Sequence, residues 1–305
     1  MIEPLAMVVE IGSNDGVMLR HFANDGHTVL GVDPATNVAI RAMAQGIPTL
    51  PLFFNERHAK LIEKEMGKAA LIYANNCIAH INDLDDVLWG VHALLKDNGL
   101  FVIECNYWGG MVKNKNYALV YHDHFSYFSL KNWVDYAPKF GLTVFDAIVT
   151  PAQGGSLRVF MSKDGKPMTE RAEKLLEEEV QLGINTAQVA KEYGENCVAE
   201  AKKLFELVDG LKKEGKKIAG YGAAAKGFSV LKLAKINQEH IDYFVDDSPA
   251  KQGKYTPMTN IPVISREEAE GQLPDYFFIT APNYADIIMA KEKEFQEKGG
   301  KFILC

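Results

Sequence analysis

Val8-Val9-Glu10-Ile11-Gly12-Ser13-Asn14-Asp15-Gly16, running on into Val17-Met18-Leu19, decides how this chain is read. The apolar opening predicts a buried strand, the glycine-bearing middle a tight turn, and the close the start of a helix. Glycines at such a turn let the backbone pass close to a ligand, and the helix start offers N–H groups with no partner inside the helix. Glu10 at the strand end suits a ligand with a cationic amine or hydroxyls rather than a phosphate. The dinucleotide fingerprint G-x-G-x-x-G is not met, because this turn reads G-S-N-D-G. A second strand, Thr28-Val29-Leu30-Gly31-Val32-Asp33, follows at βαβ distance and ends in an acid suited to ribose hydroxyls. A single glycine turn also fits a loop that merely closes a strand, and Asp33 tips the balance.

Together the two strand ends resemble the cofactor site of class I S-adenosylmethionine (SAM) methyltransferases. That resemblance assigns Glu10, Gly12, Asn14, Asp15, Gly16 and Asp33 to the cofactor. Asn75 and Asn76, at the end of the fourth strand, are placed to hydrogen-bond it as well.

The 305 residues allow two domains with proper cores, and 47% hydrophobic with 24% charged residues is ordinary for a globular chain. A formal net charge of −7 argues against a nucleic-acid or anionic-membrane surface. No apolar run reaches membrane-spanning length, and no signal-peptide pattern precedes the first strand. Cys77, Cys105, Cys197 and Cys305 form no C-x-x-C pair, which reads as reduced thiols in a cytoplasmic protein without a structural zinc site.

Strand-like and helix-like stretches alternate through the first half. Strands are expected at Thr49 to Phe53, Ala70 to Ala74 and Leu100 to Glu104, with helices at Asn55 to Met66 and Asp83 to Leu95. This pattern predicts a parallel sheet with helices on both faces. Leu142 to Val149 and Ser156 to Ser162 lack an intervening helix and predict an antiparallel hairpin that closes a seven-stranded sheet. From Met168 to about Glu214 apolar residues recur at helical spacing, as one long helix or a broken pair. A second α/β unit begins at Lys217 to Gly222, with later strands at Tyr243 to Asp246, Tyr276 to Thr280 and Lys301 to Leu304. The expected layout is a methyltransferase domain over 1–165, a helical linker over 166–215 and a smaller Rossmann-like domain over 216–305.

Tyr121-His122-Asp123-His124-Phe125-Ser126-Tyr127-Phe128-Ser129 follows the fifth strand, at the edge where open parallel sheets bind ligands. Histidine moves protons near neutral pH, so this is the candidate catalytic segment. H-x-H also occurs in metal sites, but the rest of a ligand set is missing, so no metal is expected. A polar loop packed on its own aromatics is the bland alternative. His80, after the fourth strand, is read alone as a structural histidine. The loop Gly220 to Gly227 with Lys226 suits a diphosphate, and Arg158, after Gly154-Gly155, is aimed at an anion.

The ordered motifs E-I-G-S-N-D-G, N-N-x-x-A-H, Y-H-x-H-x-S-Y-F-S, G-G-S-L-R, G-Y-G-A-A-A-K-G and K-Q-G-K-Y resemble those of SAM-dependent sugar C-methyltransferases. The resemblance spans nearly the whole chain. It implies a nucleotide-linked keto-deoxysugar as substrate, held between the two domains. His124 matches the base, Tyr121, Asp123 and His80 match the other active-site positions, and Tyr221, Lys251 and Tyr255 fall in substrate-binding motifs. Asp123 stands where the family commonly has Glu, Glu104-Cys105-Asn106-Tyr107 where it tends to E-x-P-Y, and Pro282-Asn283 where Trp-Asn is usual. Family members also begin with a cysteine-rich zinc-binding domain, whereas this sequence starts almost at the first strand, by loss or as a fragment. Competing readings are an O- or N-methyltransferase, a nicotinamide oxidoreductase working through Gly220 to Gly227, and a non-catalytic nucleotide-sugar-binding protein.

Overall fold

A computed structural model describes residues 5–281 and 284–304; Pro282-Asn283 and Cys305 lie outside the described residues. The chain divides into two compact units. One takes the chain to Gly110 together with Asp123–Thr186, and the other takes Met111–His122 together with the chain from Ala187.

The first unit is built on strands β1 (Met7–Ile11), β2 (Thr28–Val32), β3 (Thr49–Leu50), β4 (Ala69–Asn75), β5 (Leu95–Asn106), β6 (Thr143–Thr150) and β7 (Ser156–Ser162). They lie in the order β3-β2-β1-β4-β5-β7-β6. Only β7 runs against the rest, pairing antiparallel with both β5 and β6. All five residues of β1 are buried, as a strand covered on both faces by helices requires. Strand order reverses between β1 and β4, so a crevice opens at their carboxyl ends. The helices α1 (Leu19–Asn24), α2 (Thr36–Ala44), α3 (Glu56–Met66) and α4 (Leu84–Leu94) connect the first five strands. Asn55 and Asp83 cap α3 and α4, accepting from the backbone N–H of His58 and Asp86. The strand expected over Thr49 to Phe53 stops at Leu50, because Pro51 has no N–H to give an edge ladder.

Helix α5 (Trp108–Asn114) leads out of the first unit, and α6 (Leu130–Tyr136) follows the return. The helical stretch expected as a linker is divided between the units. Its first part, α7 (Glu170–Gln181), packs in the first unit, and α8 (Ala187–Lys213) belongs to the second. The break is a Schellman end: Gly183, at φ 59°, donates to the Val180 carbonyl while Ile184 donates to that of Glu179. Glu179 itself is buried, and its carboxylate accepts from the backbone N–H of Leu130 and Lys131 at 2.8 and 2.7 Å. A negative charge at the start of α6 meets the free N–H groups and the positive helix end.

The second unit carries β8 (Ile218–Tyr221), β9 (Phe244–Val245), β10 (Val263–Ile264), β11 (Tyr276–Ile279) and β12 (Lys301–Leu304). All pairings are parallel, in the order β10-β9-β8-β11-β12. β10 is a short edge strand that the sequence reading lacked. Helix α9 (Ala225–Leu233) follows β8, and α8 buries Ala201, Leu204 and Val208 in the same core. Ala118 joins that core as well, so part of the stretch after β5 packs in the second unit. Among the described residues no helix is long and apolar enough to cross a membrane.

Glu179→Ala is expected to lower stability by about 2–4 kcal/mol, since two backbone donors at the α6 start lose their acceptor. Urea unfolding measures this, and an unchanged midpoint would show that water replaces the carboxylate.

Candidate active site

A cavity of about 930 Å³ lies at the carboxyl ends of β1, β2 and β4. Gly12 corners the first turn at φ 70°, and a Cβ there would stand 2.7 Å from Cβ of Cys77. Only glycine fits, for both conformation and space. Asp33, buried at the end of β2, accepts from the backbone N–H of Asn14 at 2.8 Å and of Ala35 at 2.9 Å. One oxygen serves each amide, and a carboxylate has further lone pairs for a ligand in the cavity it lines.

Glu10 is 5% exposed and accepts a hydrogen bond from the Tyr73 hydroxyl at 3.0 Å. Burial raises its carboxyl from the ordinary 4.5 to about 8; the Tyr73 bond opposes the shift, and Asp33 and Asp15 add to it. Beside it, burial pushes the Cys77 thiol up to about 12, and its S–H donates to the Ile11 carbonyl at 3.1 Å. Asn75, Asn76 and His80 line the same cavity from the β4 side, and Phe53 and Pro34 from the far side.

His80 closes a short 3-10 turn, Ile78–His80. Its Nδ1 lies 2.8 Å from the main-chain oxygen of Asp123. A carbonyl only accepts, so Nδ1 carries a proton and donates it. The backbone N–H of Phe125 donates to the Ala79 carbonyl at 2.8 Å, which ties the two segments together. The His80 and His124 rings are 4.9 Å apart, and Tyr127 packs edge-on against His124 at 5.7 Å.

The remaining candidate residues are spread over several elements of the fold. Asp15 and Gly16 do not line the cavity; Gly16 shapes the turn at φ 75° with Ile47 against it. Asp123 meets His80 through its main-chain carbonyl. Arg158 is paired with buried Glu104, which faces it across β5 and β7, with Nε at 2.7 Å, so the strand register sets its partner. Tyr221 is 3% exposed and donates to Glu292 at 3.1 Å, because it sits mid-core on β8. Lys251 is held by Asp246 and the Ala223 carbonyl, each at 2.9 Å. Tyr255 is 65% exposed and bridges to Pro262. Lys226 stands in the first turn of α9, where burial lowers its pKa. Tyr121 falls in the stretch that clusters with the second unit, while Asp123 and His124 belong to the first.

The sequence reading missed Tyr73, Cys77, Phe53 and Gln153. For Tyr73 a signal existed: it lies two residues before Asn75, on the strand neighbouring Glu10. Among the described residues, no three His, Cys, Asp or Glu side chains are grouped to hold a metal ion.

A turn that excludes every side chain at Gly12, an acid fixed for hydroxyls and a buried carboxyl awaiting a cation fit SAM, which carries a ribose, an ammonium and a sulfonium. With the sheet order and its single antiparallel strand, they define a class I SAM-dependent methyltransferase. Residues 2–147 match the model of a methyltransferase domain, and 151–305 that of the C-methyltransferase C-terminal domain. The chain is 39% identical over 301 residues to the C-methyltransferase NovU of Streptomyces niveus, covering 98% of this chain and 71% of that one. A ubiquinone biosynthesis O-methyltransferase of Bartonella tribocorum is 26% identical over 46% of this chain and 62% of its own. A SAM-dependent methyltransferase of Clostridium acetobutylicum superposes with TM-score 0.42 at 12% identity, over 53% of this chain and 85% of that one. This chain belongs to the C-methyltransferase family.

A carboxyl raised to about 8 is expected to hold its proton at neutral pH until a cationic cofactor drives it to ionise. SAM affinity is therefore expected to rise with pH up to about 8 and then level off. Calorimetry in buffers of different ionisation enthalpy should show release of up to about one proton on binding near neutral pH. Because the folded carboxyl binds its proton more tightly than the unfolded one, the empty protein should lose stability as pH rises from about 4.5 to about 8. Glu10→Gln should abolish both dependences, and a flat affinity profile would show that Glu10 is already ionised.

Proposed function

We propose that this C-methyltransferase acts on a nucleotide-linked keto-deoxysugar, and that His124 removes the proton from the carbon beside the ketone. The observation that carries the reading is the histidine pair: His80 lines the cofactor cavity, and the His124 ring lies 4.9 Å from it. Methylation at carbon needs a carbon nucleophile, and a ketone acidifies its neighbouring C–H enough for an imidazole to remove the proton. The ordered motifs that resemble sugar C-methyltransferases support the sugar.

When bound, SAM supplies an electrophilic methyl group. Glu10 balances its positive charge and Asp33 accepts from its ribose hydroxyls, while Gly12, Asn14, Asn75 and Asn76 shape or polarise the cradle. His124 accepts the substrate proton, a role worth about 10²–10⁴ in rate. His80, with Nδ1 held by the Asp123 carbonyl, orients the sugar, and the Tyr121 hydroxyl donates to the oxyanion that develops at the ketone oxygen. In the second unit, Lys226 at the start of α9 binds the diphosphate, whose negative charge favours the ammonium form that burial disfavours. Lys226→Ala is expected to raise the KM for the nucleotide-sugar and leave SAM affinity alone; equal affinity of both proteins for the nucleotide-sugar would reject this role.

The decisive experiment follows the α-proton. In heavy water without SAM, a keto-sugar bound to the enzyme should exchange that proton for deuterium, read by NMR. His124→Gln should abolish exchange and methylation together, whereas Tyr121→Phe should slow both by a smaller factor. Full methylation by the His124 variant would refute the base.

A further inference from the structure

The hairpin turn between β6 and β7 carries the Gly154-Gly155-Ser156-Leu157-Arg158 motif. Arg158 pairs with buried Glu104 and keeps a partly exposed side chain, and the residue before the two glycines has a different place. Gln153, just before the two glycines, lines the cofactor cavity. Every other described lining residue comes from the end of β1 and the turn from it to α1, the end of β2, the loop after β3, or the stretch from the end of β4 into α4. With strands ordered β3-β2-β1-β4-β5-β7-β6, Gln153 reaches the cavity from beyond β5. Asp33 and Phe53 stand on the opposite side, and His80 and Asn76, which follow β4, stand nearer to it.

The backbone at this position is unusual. Gln153 has φ 54° and ψ 20°, in the left-handed region where a glutamine is disfavoured and a glycine is at ease. Pro151 precedes it, and Gly154 and Gly155 follow with positive φ. The turn alone would be better served by a third glycine. What glutamine adds is a carboxamide at the cavity wall. That group is neutral, so it neither disturbs Glu10 nor acts as a base, and it both donates and accepts hydrogen bonds. Such a group suits a hydroxyl or carbonyl oxygen.

We propose that Gln153 is a specificity-determining residue for the methyl acceptor. Its carboxamide hydrogen-bonds an oxygen of the acceptor at the β5 side of the cavity, while the cofactor takes the side lined by Asp33 and Phe53. The nature of the acceptor as a keto-sugar rests on the functional reading above; the position of Gln153 on the acceptor side does not.

Two measurements test this. In the first, Gln153→Cys is treated with a small maleimide, and labelling at that position is followed by peptide mass spectrometry with and without saturating S-adenosylhomocysteine. The rate is expected to stay within about twofold, because the cofactor product does not cover position 153. Protection by about tenfold or more would put the cofactor against it and overturn the proposal. In the second, Gln153→Gly, whose backbone suits the positive φ, is expected to keep or raise the Tm and to bind S-adenosylhomocysteine like the parent. It should raise the KM for a nucleoside-diphosphate-linked 4-keto-6-deoxyhexose about tenfold, the loss of one hydrogen bond. A KM within about twofold of the parent, or an S-adenosylhomocysteine affinity that falls as far as KM rises, would overturn it. A parent enzyme inert toward such sugars defeats the functional reading instead, and the labelling result still decides the place of Gln153.

Discussion

Asn14 and Ala35 each give a backbone N–H to the Asp33 carboxylate, at 2.8 and 2.9 Å, and the chemistry of the first unit depends on that pair of bonds. They join the turn after β1 to the end of β2, so the cofactor cavity has a fixed floor before any ligand arrives. Charge-assisted bonds of this kind are stronger than neutral ones, and they hold the carboxylate while leaving it able to accept more. The second unit repeats the device. Asp246, at the end of β9, accepts from the backbone N–H of Ala223, in the loop after β8, and from that of Ser248. There, however, the Lys251 ammonium also pairs with it at 2.9 Å. Asp33 lines an open cavity, whereas Asp246 is already paired with an ammonium. A nicotinamide dinucleotide would therefore find the second unit's ribose position answered from within, which weighs against the oxidoreductase reading of the Gly220 to Gly227 loop.

Glu10 and Tyr73 show what a preformed cavity costs. An acid this buried is disfavoured as an anion, and the single hydrogen bond from Tyr73 offsets only part of the desolvation. Keeping the proton is the way such a carboxyl lowers that cost. Burial of β1 on both faces holds the strand in place while its last polar group waits for a counter-ion. The same logic explains the inert Cys77: its thiol is raised by burial and by the neighbouring acids, so it packs against the Gly12 turn as a small hydrophobe.

Glu179 serves α6 as Asp33 serves the cofactor turn. A carboxylate from α7 closes the N-terminus of a seven-residue helix whose own capping box comes from Ser129 and Asn132. That helix follows directly on the His124 segment, so the two caps steady one end of the candidate catalytic loop. The other end leaves the first unit by way of the stretch from Met111 to His122.

The sequence by itself determined most of the strands, the glycine-cornered turn, the acid at Asp33, the closing hairpin and the second α/β unit. These are local signals: an apolar run of strand length, a glycine at a strand-to-helix turn, an acid at a strand end. The motif order also led to the family and the cofactor. Only the tertiary structure decided which polar groups were already engaged. Arg158 meets Glu104 through a strand register 54 residues apart, Tyr221 meets Glu292 across 71, and Tyr73 meets Glu10 across 63. The same holds for Gln153, whose place at the cofactor cavity follows from the position of β7 beside β5 and from nothing near it in the chain. Periodicity and turn chemistry act over a few residues and are written in the order of the chain. Pairing of charges and donors depends on which distant strands become neighbours, and that is settled only when the sheet closes.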